Sequence, residues 1–343
     1  MFKMSLRALN RWTFACAMAV ACASCAGSSQ QQRDPDLVAD PPLGDESDIE
    51  NGAAKTDYQR AIAYIDKEHW AEAKVLLARV IGSTPENAEA HAYMGLVLEK
   101  ENDLAGAEKS YLAALERKPG LAAAAQNLAA IYLTAQPPRV DDAIKHLEKA
   151  VALVPDDVGL LQNLGYARAA KGDVAGSAKA FQSAIAKADS VDLRLALANV
   201  YADAKQVEKA VPHAKKILEM AKDDPKIFVN VGFILEYGGA FAECVTAFDR
   251  AIKLKKDEPD WFVRRGRCKD ELGNEDAALE DFQAAIKLKP DFAAGYFYSG
   301  VVQRRQQKLQ SAEFSLQKAV EYGKDTPIGK LAAKKLRELQ RGQ

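Results

Sequence analysis

Histidine and cysteine are scarce in this chain, with four and five residues among 343. His69, His91, His146 and His213 lie far apart, and none has a Cys, Asp or Glu partner at ligand spacing, so no metal site is expected. Cys16, Cys22 and Cys25 crowd the extreme N-terminus, while Cys244 and Cys268 match neither a disulfide framework nor a zinc site by spacing. An excess of charge is also missing. The 47 basic and 48 acidic residues leave a net charge of −1, and nothing in that total points to nucleic acid. There is no glycine-rich phosphate loop, no Gly-x-Ser-x-Gly elbow and no glycine fingerprint after a strand. No enzyme, no cofactor and no small-molecule substrate is expected.

The apolar stretch from Trp12 to about Ala23 is too short and too rich in alanine to span a membrane, which takes roughly 20 apolar residues. Lys3, Arg7 and Arg11 precede it and small residues follow, so residues 1–24 read as a secretory signal. Ala19-Val20-Ala21-Cys22 and Cys22-Ala23-Ser24-Cys25 both resemble a bacterial lipobox. Cys25 is the favoured lipidation site, because Cys25-Ala26-Gly27-Ser28-Ser29 looks like a mature lipoprotein start; Cys22 is the alternative. That resemblance, with Ala26 and not Asp after the cysteine, implies an outer membrane lipoprotein facing the periplasm. Cleavage after Ala23 would instead give a soluble periplasmic protein. Residues 25–53 are polar and acidic with three prolines, too poor in apolar surface to offset ordering entropy, and read as a disordered tether.

From Ala54 to Thr326 a set of apolar and small residues returns about every 34 residues. Leu128-Ala129 … Ala143-x3-Leu147, Leu164-Gly165 … Phe181, Val231-Gly232 … Phe248 and Gly266 … Ala278-x3-Phe282 carry the pattern. A period of that length built from two helical stretches is a solenoid signature, because one unit cannot bury its own apolar face. The units start at Ala54, Ala88, Ala122, Val158, Val191, Pro225, Pro259 and Ala293. Turns are expected at Asn102-Asp103, Gly172-Asp173, Gly238-Gly239 and Gly273-Asn274. Pro137-Pro138 insert two residues in the third unit, and Ser177 makes the fourth the weakest interior match. Cys244 falls on a small buried position, so a core thiol is expected there, with a Cys244–Cys268 disulfide as the alternative. Residues 327–343 read as an amphipathic capping helix whose basic face is solvated, with phosphate or anionic lipid as an alternative contact.

These positions make residues 54–326 resemble a run of tetratricopeptide repeats. The resemblance implies an all-α, right-handed α-solenoid of about eight repeats whose first helices line a concave peptide-binding groove. On that register Asn127, Asn163 and Asn230 share one groove position, with Asn199 nearly one turn beyond it in the intervening repeat. Such a row resembles the asparagine ladders of long family members, offering donors and acceptors to a peptide backbone; Asn facing only water is the alternative. Gln126, Gln162 and Tyr166 make the middle of the groove polar. Val229, Phe233, Tyr237, Val263 and Phe297 make the C-terminal half more apolar, bordered by Arg264, Arg267, Arg304 and Arg305, which suits a peptide of some acidic character. Asn199, Asn230 and Arg264 match part of the carboxylate clamp of some members, but Leu195 and Asp260 replace two of its cations. The function implied is a non-catalytic envelope scaffold with a protein or peptide partner, in the manner of pilus, secretion or gliding assembly factors. A peptidoglycan- or glycan-associated subunit for cell-wall enzymes is the alternative, although Trp70 and Trp261 form no platform.

Overall fold

The structure is a computed structural model and describes residues 56–342. The expected signal segment, both candidate lipidation cysteines (Cys25 and Cys22) and the acidic tether lie outside the described residues. Within them the chain is all-α, with seventeen helices and no strand. It divides into two compact units, one ending at Asp189 and the other beginning at Ser190.

The first unit holds four helix pairs: α1 (Asp57–Asp66) with α2 (Trp70–Ser83), α3 (Ala88–Lys100) with α4 (Leu104–Arg117), α5 (Ala122–Thr134) with α6 (Val140–Leu153), and α7 (Val158–Lys171) with α8 (Val174–Lys187). The second holds α9 (Val191–Asp203) with α10 (Val207–Met220), α11 (Pro225–Tyr237) with α12 (Phe241–Leu254), α13 (Pro259–Glu271) with α14 (Glu275–Leu288), and α15 (Ala293–Arg305) with α16 (Leu309–Gly323). A single helix, α17 (Pro327–Gln340), packs on α15 and α16.

Local chemistry explains where the helices begin. Asn87, Asp103, Asp157, Asp173, Ser190 and Asp224 each accept a hydrogen bond from a backbone N–H of the first turn they precede. Those bonds satisfy donors that a helix start otherwise leaves open. Pro225, Pro259 and Pro327 open their helices, where a missing N–H costs nothing. Between the two helices of a pair the chain reverses through one residue with positive φ. Asn102, Gly172, Gly239 and Gly273 hold that place, and so do Glu68, Lys205 and Gln307, which carry no glycine-like signal. In the third pair Arg139 closes the longer turn instead, with its guanidinium 4.1 Å over the Tyr132 ring and ion pairs to Glu108 and Asp142.

Within the second, fourth, sixth and seventh pairs, glycine sets the distance between the helices. A Cβ at Gly95 would lie 2.6 Å from the Tyr111 ring; at Gly165, 2.8 Å from Phe181; at Gly232, 2.8 Å from Phe248; and at Gly266, 2.6 Å from Phe282. All four rings are fully buried. Where Ala129 holds the position, the second helix offers the shorter Leu147. Ser177, the departure in the fourth repeat, is buried and donates its hydroxyl to the Gly165 carbonyl at 2.7 Å, so the polar atom is satisfied. Glycine inside a helix costs about 1 kcal/mol against alanine. A methyl group forced against a packed ring costs about 1–3 kcal/mol, so the steric term wins. Gly165→Ala is expected to lower the thermal midpoint, and Phe181→Leu in the same chain to recover part of the loss.

Two expectations are corrected in the second unit. Cys244 is buried, but as half of a disulfide with Cys268 and not as a free thiol. The pair joins α12 to α13 with Cα atoms 6.2 Å apart, a proximity that follows from packing between consecutive repeats and that the spacing of 24 residues does not encode. Phe297 and Val263 do not line a groove. Phe297 is 4% exposed in a cluster with Leu316, Ala319 and Ala332, because α16 and α17 close over it. Val263 is 2% exposed against Ala278, Phe282 and Val302.

Candidate functional site

In the first unit α5 and α7 lie side by side and bring Gln126 and Asn127 next to Gln162, Asn163 and Tyr166. All five are partly exposed. Three are committed to the protein itself. Asn127 Nδ2 donates to Tyr111 Oη at 3.1 Å, and that hydroxyl donates to Glu99 Oε2 at 3.1 Å. Burial pushes the Glu99 carboxyl above its ordinary range, against the opposing hydrogen bond from Tyr111. Gln126 Nε2 donates to Asp157 Oδ1 at 3.2 Å and lies across Gly159, where a Cβ would approach it to 2.6 Å. Tyr166 sets its ring against Phe181 in an edge contact of 5.1 Å. Gln162 and Asn163 make no hydrogen bond among the described residues.

In the second unit Asn199 on α9 and Asn230 on α11 are likewise partly exposed amides with no hydrogen bond among the described residues. One helix further on the site changes. Arg264 donates to Asp260 at 2.8 Å and to Glu236 at 2.9 Å, with its guanidinium 4.1 Å over the Phe233 ring. Arg267 Nη1 is 2.8 Å from the other Glu236 oxygen, as an ion pair without an aligned hydrogen bond, and its guanidinium lies 5.0 Å from the Tyr298 ring. The Glu236 side chain is only 6% exposed. Burial by itself would lower the Arg264 pKa, but Asp260 and Glu236 outweigh it and raise it. Arg304 reaches Glu338 of α17 at 3.5 Å, and Arg305 is held by Asp270 and Glu275. The arginines that read as a basic border are therefore already neutralised, and Tyr237 stands exposed at the end of α11.

Glu236 and Tyr298 escaped the sequence reading. The signal was available in the repeat register, where an acid near the end of one first helix faces two arginines on the next.

A family model for the tetratricopeptide repeat matches residues 58–122, 138–192, 163–225, 235–291 and 263–326, well over half of the chain. The chain belongs to the tetratricopeptide repeat family. This tetratricopeptide repeat protein is similar to the C-terminal part of a TPR repeat-containing protein from Cytophaga hutchinsonii, with 13% identity over 69% of this chain and 97% of that one and a TM-score of 0.54. At that identity the likeness concerns the fold alone. It also aligns with YrrB, a TPR protein with an unusual peptide-binding site (20% identity, 57% of this chain, 100% of that chain, TM-score 0.47). A tetratricopeptide repeat protein from Parabacteroides merdae aligns at 16% identity over 74% of this chain and 98% of its own, with a TM-score of 0.44. The comparison with curated proteins gave no match. Tetratricopeptide repeat proteins bind protein or peptide partners and are typically non-catalytic scaffolds, so the fold is that of a protein–protein interaction scaffold. Among the described residues, no group of three His, Cys, Asp or Glu is placed to hold a metal ion, and no helix is long and apolar enough to cross a membrane.

Proposed function

We propose that the protein is a non-catalytic scaffold of the bacterial cell envelope that holds an extended or helical peptide segment of a partner along its first helices. The observation that carries the reading is the set of amides left open there: Gln162 and Asn163 in one unit, and Asn199 and Asn230 in the other. A partly buried amide without a partner retains both donor and acceptor capacity, and a peptide backbone supplies the complement. Placement at the outer membrane, facing the periplasm through a lipid on Cys25, is supported by the signal-like N-terminus. It is also supported by the Cys244–Cys268 disulfide, since such bonds persist in oxidising compartments. Assembly of pilus, secretion or gliding machinery is the role that suits a tethered scaffold of this kind.

The test compares the membrane-anchored protein with a Gln162→Ala, Asn163→Ala, Asn230→Ala variant in cross-linked capture from envelopes. Three lost hydrogen bonds of about 0.5–1.5 kcal/mol each should weaken capture at least tenfold while leaving the thermal midpoint nearly unchanged. Full capture by the variant would remove the amide row from the site. Asn127→Ala should behave oppositely, costing stability through the Tyr111–Glu99 chain. Cys25→Ala should move the protein from membranes to the soluble fraction; if only Cys22→Ala does so, the lipidated residue is Cys22.

A further inference from the structure

The contact that locks the two helices of a repeat follows a rule that the eighth repeat breaks. In four repeats a glycine on the first helix faces a ring on the second: Gly95 with Tyr111, Gly165 with Phe181, Gly232 with Phe248 and Gly266 with Phe282. Where the ring is absent, alanine replaces glycine, so the same two positions hold Ala61 and Leu77, Ala129 and Leu147, and Ala198 and Ala214. The eighth repeat has the glycine without the ring, because Gly300 on α15 stands opposite Leu316 on α16. The helices still approach closely, since a Cβ at Gly300 would lie 2.8 Å from Leu316. The space a ring would fill is left beyond the leucine.

Its walls stand at the positions that touch the ring in earlier repeats. One residue past the glycine, Tyr166 and Phe233 meet Phe181 and Phe248 edge-on at 5.1 and 6.0 Å. Four residues past it, Glu99 accepts from the Tyr111 hydroxyl at 3.1 Å. The eighth repeat puts Val301 and Arg304 in those places. With Gly300 and Leu316 they line a cavity of about 340 Å³, and Arg305 and Lys335 of α17 add to its rim. That volume lies at the low end for small organic ligands. The floor is apolar, with Gly300 and Leu316 both buried. At the mouth Arg304 and Lys335 share one carboxylate, Glu338, at 3.5 and 2.9 Å, so two cations answer a single anion. Lys335 above all, joined by Lys334 and Arg304, holds the Glu338 carboxyl below its ordinary range. Arg305 is matched by Asp270 and Glu275, so an anion is drawn to the α17 side.

We propose that this cavity binds a carboxylate joined to a ring-sized apolar group. The ring takes the place that Phe181 and Phe248 fill in their own repeats, and the carboxylate meets Arg304 and Lys335. A free aryl acid and the last residue of a peptide share this chemistry. The site rests on α15, α16 and α17 alone and is independent of the amide row.

Calorimetric titration of the full chain with hydrocinnamate, and with its uncharged amide as control, tests this. The acid is expected to bind a single site with a dissociation constant of about 1 mM, and the amide about tenfold more weakly. Leu316→Phe supplies the missing ring, so it should abolish binding while raising the thermal midpoint. If that variant loses helix content, Val301→Phe closes the cavity from its other wall, at the position Phe233 holds in its repeat. Arg304→Gln with Lys335→Gln should weaken the acid by about fivefold or more and leave the amide unchanged. A hexapeptide ending in phenylalanine, with its terminus free or amidated, separates the two sources. Binding tighter than that of hydrocinnamate and lost on amidation assigns the site to a peptide end; binding of hydrocinnamate alone assigns it to a free acid. Undiminished binding by the filled variants overturns the proposal. So does equal binding of acid and amide, or no binding of either acid at about 10 mM.

Discussion

Glu236→Ala is expected to destabilise the second unit by about 3–5 kcal/mol, the cost of leaving buried charge without its partner. The carboxylate is 6% exposed and answers two guanidinium groups, and Arg264 is itself only 16% exposed at the side chain. Truncation leaves Arg264 with Asp260 alone and Arg267 with no carboxylate, while both remain held over Phe233 and Tyr298. The size of the effect does not mean that the intact cluster adds that much stability, since desolvating four charges offsets most of their attraction. Glu236→Gln separates the two contributions. It keeps an acceptor for Arg264 and removes the charge, so it should fall between alanine and wild type. Denaturant unfolding followed by circular dichroism measures all three. A loss below about 1 kcal/mol in Glu236→Ala would mean that the arginines find water, and that the face is more open than its geometry indicates.

Removing the disulfide should have an effect of similar size. Closing a loop of 24 residues restricts the unfolded chain by about 3.5 kcal/mol in the loop-entropy account. Cys244→Ala with Cys268→Ala, or reduction of the wild-type chain, is expected to lower the denaturant midpoint accordingly. Neither sulfur is exposed, so the native protein should resist alkylation until it is both unfolded and reduced. Thiols that react after unfolding without reductant would show that the bond does not form in the isolated protein. That result would also withdraw one support for placement in an oxidising compartment.

Most of the fold was legible because the repeat writes the same instructions many times. Seven first helices begin at the residue that opens a repeat in the sequence, from Ala88 to Ala293; Asn87, Asp157, Ser190, Pro225 and Pro259 mark five of those starts chemically, and the repeat period alone gave the two that follow Leu121 and Phe292. The small-and-bulky pairs were legible too, because i and i+4 positions on a helix must share a face. The candidate site was read less well, for a physical reason. Register says which way a side chain points along its own helix, but not what stands opposite. Asn127 and Asn163 hold the same position, yet sixteen residues before Asn127 stands Tyr111 with a hydroxyl, and sixteen before Asn163 stands Leu147 with none. Phe297 holds the repeat position that the partly exposed Val229 holds in the sixth repeat, but Phe297 has α17 above it. The arginines suffered the same blindness, for their partner Glu236 is on the preceding first helix.

The contacts described above differ in whether they close within one repeat or across two, and that difference bears on inheritance. Gly165 with Phe181, Gly232 with Phe248 and Gly266 with Phe282 each join the two helices of a single repeat. A gene duplication or deletion of one such repeat carries its own lock intact. The Cys244–Cys268 bond and the Glu236–Arg264 pair instead tie the sixth repeat to the seventh. Copying either of these repeats alone would strand a thiol and a buried charge, so the pair can multiply only as a double module. Related chains with more or fewer repeats should accordingly vary in number around this joint and keep both halves of it together.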